Sequence, residues 1–487
     1  MKVKVICILI LMLLIGTNVV AITSTKTILN NKSTTIIQIT NNEILDSGNS
    51  LIQTDAGTYI LAWFSESSGN RDIWISKSSD TINWDNPIQV TVDSESDYNP
   101  SITEANSNHL LIGFTSNRPG AAWAYLTRST DNGNSWSTPI PFEPVSMTEV
   151  SGSPCIFKSQ DGTLYFSRHE VAAGKSYTLI NKSTDNGYNW INKVKISNHN
   201  YVLHSEIKEY DGALYMACDS AQGMNPEPFD LYFYVSYDNG DTWAEISTLE
   251  SNYHDRSPSF IKTEEGLFIV VWSSEDRDAS GTKNLYYSIS DNFIDWTPTE
   301  QLMVSPSYND VGPHLLKNND DEIYICWVSD RDGDYEIYIT ELSNFIESDL
   351  DCMGNLSWTN VKPGETVTDS FDVTNIGKVG SLLNWEIKSY PEDWGDWSFN
   401  PESGTLSEGD TVTINVEVVA PDDPNKEFSG KIKVVNSDNS TDFCEIDVNL
   451  TTSKNKAFNI FLLDFFKTRP NLFPILQKLL QQLGFGL

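Results

Sequence analysis

The chain has 487 residues, 39% of them hydrophobic, which is enough for more than one packed domain. Its 32 Lys and Arg stand against 67 Asp and Glu, a formal charge of −35. Such a surface is repelled by nucleic acid and by anionic membranes, so neither is expected as a partner.

Residues 1–21 have the pattern of a secretory signal peptide. Lys2 and Lys4 precede the apolar run from Val5 to Ile15, and Val19-Val20-Ala21 fits a cleavage site. Losing the two lysines takes the charge from −35 to −37. The expected location is therefore secreted or at the cell surface. Cys7 lies too early in the leader to carry a lipid.

From residue 22 to 346 one phrase recurs. Ser129-Thr130-Asp131-Asn132-Gly133-Asn134-Ser135-Trp136 returns as Ser183-Thr184-Asp185-Asn186-Gly187-Tyr188-Asn189-Trp190. It returns again as Ser236-Tyr237-Asp238-Asn239-Gly240-Asp241-Thr242-Trp243. Weaker copies are Ser78-Ser79-Asp80 with Trp84 and Ser290-Asp291 with Trp296, and Ser343-Asn344 is a relic. The steps between positions 80, 131, 185, 238, 291 and 344 are 51, 54, 53, 53 and 53 residues. A period near 50 with strand-like flanks predicts an all-β fold, a β-propeller of six blades.

Within each repeat four strand signals alternate apolar and polar residues, as in Leu110–Thr115 and Trp123–Ser129. The Asp of the phrase can bond nearby backbone amides, the Gly supplies a positive φ, and the Trp packs between strands. Asp80, Asp131, Asp185, Asp238 and Asp291 are therefore expected to be structural. The sixth repeat stops after its third strand, and a spare strand at Thr34–Thr40 is expected to complete it. Cys155, Cys218 and Cys326 fall on predicted strands and are expected to behave as small apolar residues.

These phrases resemble the Asp-box (BNR) repeats of the sialidase-like propeller superfamily over about Ser33–Ile346. The resemblance implies either an exo-sialidase or one of the superfamily's non-catalytic surface propellers. A sialidase needs three arginines for the substrate carboxylate, a Tyr–Glu pair and an acid/base Asp. The family's first arginine sits in an Arg-Ile-Pro phrase, where this chain has Gly48-Asn49-Ser50-Leu51-Ile52. Arg71, Arg277 and Arg331 lie in matching loops beside acids, which points to local ion pairs.

Departures from the repeat are the better guide to a site. Most inner strands begin Asp-x-x-Pro, at Asp97, Asp255 and Asp310, and that shared feature points to structure. Aligned on the following glycine, His204 stands where other repeats have Pro. Glu206 stands where they have Ile102, Ile156, Phe260 and Leu315. A carboxylate in an apolar slot is either functional or solvated in a central channel. Arg168-His169-Glu170 lies in the neighbouring repeat. Candidate catalytic residues are thus Glu206, Glu170 and Arg168, with His169, His204, Tyr201, Tyr253 and Arg256 as candidate ligand contacts. Asp330-Arg331-Asp332-Gly333-Asp334 lacks the spacing of an EF-hand. No cofactor is required, and a structural calcium ion is the one such loops could hold.

Residues 350–453 change to short Val/Thr strands and predict an immunoglobulin-like sandwich. Cys352 and Cys444 are disulfide candidates there. Residues 457–487 form apolar stripes interrupted by charges and prolines, so two amphipathic helices are expected rather than a membrane span. This tail could associate with an envelope. Three functions are compatible with this organisation: recognition of an extracellular glycan or surface protein, a sialidase-type glycoside hydrolase with a non-standard site, and a structural envelope component.

Overall fold

A computed structural model describes residues 36–143, 149–172, 175–196, 201–221, 228–264, 266–275, 277, 281–303, 307–344, 346–378, 380–454 and 478. The leader and, apart from Lys478, the amphipathic tail lie outside these residues. The described chain is all-β, with one short 3-10 turn at Leu342–Asn344. No helix among the described residues is long and apolar enough to cross a membrane.

Six four-stranded antiparallel sheets follow one another along the chain, the first five each built from consecutive strands. The first comprises Asp46–Gln53, Tyr59–Ser65, Asp72–Ser78 and Ile88–Gln89. The sixth comprises Asp310–Lys317, Ile323–Ser329 and Glu336–Glu341, and its fourth strand is Ile37–Gln38. Ile37 pairs with Ile339 and Gln38 with Tyr338, so the spare segment closes the last sheet as expected. The initial strands of the six sheets neighbour one another in a closed ring.

The apolar face of each sheet packs on the next. Ile60, Ala62 and Ile73 of the first sheet share a core with Leu110, Ile112 and Phe114 of the second. The same layering recurs between the fifth and sixth sheets around Val271, Tyr287, Ile325 and Trp327. Transferring these side chains from water supplies the main driving force, about 1.5–3 kcal/mol for each large one.

The Asp-box turns have the expected chemistry. Asp131 accepts the backbone N–H of Ser135 at 2.9 Å and the hydroxyls of Ser135 and Ser129 at 2.5 and 2.7 Å. These bonds, led by the Ser135 hydroxyl, pull its carboxyl down to about 2. Asp185 and Asp238 repeat the pattern on Asn189 and Thr242. Asp80 holds Ile82 and Asn83. Gly187 has φ +78°, and a Cβ there would stand 2.6 Å from Leu111 Cδ1, so both conformation and packing require glycine. In the fifth sheet the acceptor is Asn292, which takes the N–H groups of Ile294 and Asp295. The expected Asp291 is one residue early, because an amide oxygen replaces the carboxylate at the turn position. Ser343 bonds Glu341 and makes no such turn.

Residues 350–452 form a four-stranded and a five-stranded sheet around one core. Cys352 on Leu350–Met353 is bonded to Cys444 on Phe443–Thr452. Four of the nine strands here are short, at Leu350–Met353, Leu356–Val361, Asp396–Asn400 and Ser403–Ser407. The cross-link spans 92 residues. Replacing both cysteines by serine should lower the stability of this unit by about 2–5 kcal/mol, read by urea titration against the oxidised parent.

Candidate functional site

Each of the six inner strands carries a β-bulge at the same height. The register slips between Ser47 and Ser50, Tyr98 and Ser101, and Gly152 and Cys155. It slips again between Val202 and Ser205, Arg256 and Ser259, and Val311 and His314. The first bulged residue has positive φ at Gly48, Asn99, Ser153, Ser257 and Gly312. The second is Pro100, Pro154, Pro258 or Pro313 in four sheets, where a missing N–H costs no ladder bond. Asn49 and His204 occupy it in the other two.

The bulges ring an axial cavity of about 380 Å³. Its lining includes Asn49, His204, Glu206, His254, Arg256, Glu275, Lys283, His314 and Tyr335 among serines and prolines. Four buried side-chain atoms on this lining have no hydrogen-bond partner among the described residues: Asn49 Oδ1, His254 Nδ1, Arg256 Nε and His314 Nδ1. The Arg256 guanidinium lies 4.0 Å from the centre of the Phe229 ring.

Below the bulges the strands are stitched to one another. Ser50 Oγ accepts the N–H of Ile102, Ser101 Oγ that of Ile156, and Ser259 Oγ that of Leu315. In the fourth sheet Ser205 bonds Ser167 instead. The Glu206 carboxylate then accepts the N–H of Phe260 at 2.9 Å. Glu206 also pairs with Lys208 Nζ at 3.2 Å and lies 3.8 Å from His314 Nε2. Lys208 in turn donates to the carbonyls of Phe260 and Leu315. Glu206 is thus a buried tie between the fourth, fifth and sixth sheets as well as part of the cavity wall.

The sequence candidates divide into separate groups. Arg168 is buried, bonded to Glu143 at 2.5 Å and to Asn181 at 2.7 Å, and packed on Phe142. Glu170 is buried near it, and neither residue lines the cavity. His169 lies beside His204, and burial pushes its imidazole down to about 4. His204 and Arg256 line the cavity. Tyr253 packs on Arg277. Tyr201 begins its strand, and its side chain lies outside the description.

The repeated acids are structural. Asp97, Asp255 and Asp310 are fully buried and bind Arg118, Arg277 and Arg331 at 2.6, 2.6 and 2.9 Å. Arg71 pairs with Glu66. Among the described residues, Arg256 is the one arginine on the cavity lining. In the acidic loop, Asp330 accepts from Asn309 and Asp332 from Tyr338. Among the described residues no group of three His, Cys, Asp or Glu is placed to hold a metal ion. Burial raises the thiols of Cys155 to about 11 and Cys326 to about 12, which disfavours the thiolate form at neutral pH.

Asp219 has no counterpart in the sequence expectations. It faces the fourth bulge and is completely buried. Its Oδ1 accepts the His204 N–H at 2.7 Å, and its Oδ2 lies 3.1 Å from His204 Nδ1. The N–H of Ser257 also reaches Oδ2. Burial alone would raise this carboxyl, but His204 and these bonds together hold it below its ordinary value.

The closed ring of sheets, its Asp-box turns and its axial cavity define a sialidase-like β-propeller. Residues 57–325 match the BNR repeat-like domain, and the chain belongs to that family. A Dyadobacter fermentans protein of unknown function superposes with TM-score 0.51 at 13% identity, covering 63% of this chain and 97% of that one. Trypanosoma rangeli sialidase with the inhibitor DANA gives 0.49 at 16%, covering 63% and 57%. Penicillium chrysogenum α-L-arabinanase with arabinobiose gives 0.47 at 15%, covering 64% and 99%. An 81-residue stretch is 33% identical to a probable serine/threonine-protein kinase of Dictyostelium discoideum, 17% of this chain and 5% of that protein.

Two outcomes follow. Glu206→Ala should destabilise the chain by about 1–3 kcal/mol, because it orphans the buried Phe260 N–H. Glu206→Gln keeps an acceptor and should cost less, and urea titration separates the two. Burial also holds His314 down to about 4. With His169 and His314 both depressed, the unfolded chain takes up protons that the folded chain refuses between about pH 6.5 and 4. Stability should therefore fall as pH drops through that window, and His169→Gln should flatten the fall in pH-dependent melts.

Proposed function

We propose that this is a secreted or cell-surface propeller of six blades that binds an extracellular glycan or surface protein in its axial cavity. The observation that carries this reading is the cavity itself. Its wall holds four buried polar atoms without partners and is otherwise mostly serine, asparagine, histidine and proline. A concave site with a few convergent polar groups is where a ligand finds both shape and hydrogen bonds. The pairing of Arg71, Arg118, Arg168, Arg277 and Arg331 elsewhere favours a ligand without a clamped carboxylate. We read the C-terminal sheets as an immunoglobulin-like spacer and the tail as a means of envelope association. A calcium ion, if one binds, serves structure and not chemistry.

A glycoside hydrolase with an altered site is the second reading, and Glu206 beside His314 is what favours it. A structural envelope component is the third. The test presents the chain from residue 22 onward to a panel of immobilised neutral and sialylated oligosaccharides, with hydrolysis of fluorogenic sialosides and arabinosides in parallel. Saturable binding without turnover is expected, weakened about tenfold in Arg256→Ala, equivalent to about 1.4 kcal/mol. Turnover that disappears in Glu206→Gln would replace binding with hydrolysis. Silence in both assays would leave the structural reading.

A further inference from the structure

The six bulges are a set of internal controls. Opposite the two bulged residues, the second strand of each sheet places one residue: Trp63, Phe114, Arg168, Asp219, Trp272 and Trp327 in order. Four sheets thus combine an aromatic ring with Pro or Asn at the second bulge position. The third combines Arg168 with Pro154. Only the fourth changes both partners, to Asp219 and His204.

Four of the other bulges carry Pro at the second position and offer no N–H, whereas Asp219 Oδ1 accepts the N–H of His204, so one oxygen of the carboxylate satisfies the strand. Its other oxygen also meets the His204 ring, a contact the backbone does not require. Placing a carboxylate where other sheets bury a ring is costly unless it is fully bonded. Asp219 is fully bonded, and two of its bonds go to His204: the backbone N–H and Nδ1. The His204 ring is not buried with it. Its side chain is 35% exposed and lines the axial cavity. A carboxylate that takes the proton of Nδ1 fixes the tautomer and leaves Nε2 as an acceptor.

The geometry points to a dyad in which Asp219 positions His204 to accept a hydrogen bond from a hydroxyl of the cavity's ligand. This rests on the reading of the cavity as a binding site. The ligand class that fits is a hydroxyl-rich sugar unit that offers an O–H donor to the ring nitrogen facing the cavity. Asp219 and His169 interact with the ring, the Ser257 N–H shares the Asp219 carboxylate, and Glu206, His254 and Arg256 line the same cavity. His169, held near 4 by burial, adds no competing charge at neutral pH. Asp219 acts through His204 and is a positioning residue.

The test has two independent arms. The first is nitrogen NMR of the histidine-labelled chain from residue 22 onward at pH 7, with His204 assigned by His204→Gln. The parent should show Nδ1 protonated and Nε2 bare, and Asp219→Asn should lose that preference. A doubly protonated ring in the parent, or an unchanged tautomer in a folded Asp219→Asn, overturns the dyad. If Asp219→Asn does not fold, the parent spectrum alone decides. The second arm is the oligosaccharide panel, where His204→Gln should weaken binding about tenfold while Lys431→Ala in the C-terminal sheets changes nothing. Undiminished binding by His204→Gln overturns the proposal. A silent panel with the expected tautomer sinks the binding reading and upholds the dyad.

Discussion

The bulge near the head of every inner strand is the constraint on which the rest depends. It recurs at one height in six strands, and the bulged residues line a cavity on the axis. Immediately below it, serine hydroxyls take the amide of the next strand and lock neighbouring sheets in register. The same few residues therefore set both the closure of the ring and the shape of its mouth. Where the stitch fails, at Ser205, the molecule supplies Glu206 in its place. A residue that looks anomalous in the sequence is, in the fold, the repair of a local defect.

Electrostatics follow the same economy. In a chain of net charge −35, three of the eight arginines, Arg118, Arg277 and Arg331, are committed to buried aspartates at the strand heads. Each such pair stacks against aromatic rings, as Arg277 does on Tyr253, Trp272 and Tyr286. The positive charge is spent on architecture and little of it reaches the cavity. What reaches the cavity instead is imidazole: His204, His254 and His314 out of six histidines in the chain.

Much of the fold was legible because it repeats. The Asp-box spacing, the closing strand at Ile37–Gln38 and the pairing of Cys352 with Cys444 all follow from local residues or their period. The fifth box was misplaced by one residue because Asn292 can do what an aspartate does in such a turn. The site was half legible. Comparing first strands singles out His204 and Glu206, but Arg168 and Glu170 belong to a different buried network. Asp219 escaped because its partner lies on the neighbouring strand, 15 residues away in sequence. Aligning second strands would have exposed it, since Trp63, Phe114, Trp272 and Trp327 mark the position it interrupts.

The fourth strand of the last sheet comes from the start of the folded chain. Asn42 donates its amide to Glu336, 294 residues further on. A chain emerging amino-terminus first holds this strand ready long before its partner exists. Blades can form in succession, yet the ring stays open until the partner strand has been made. Contacts this distant in sequence are slow to find. The strand Ile37–Gln38 is thus the latch of the ring, made before the strand it pairs with and unable to engage until that strand exists.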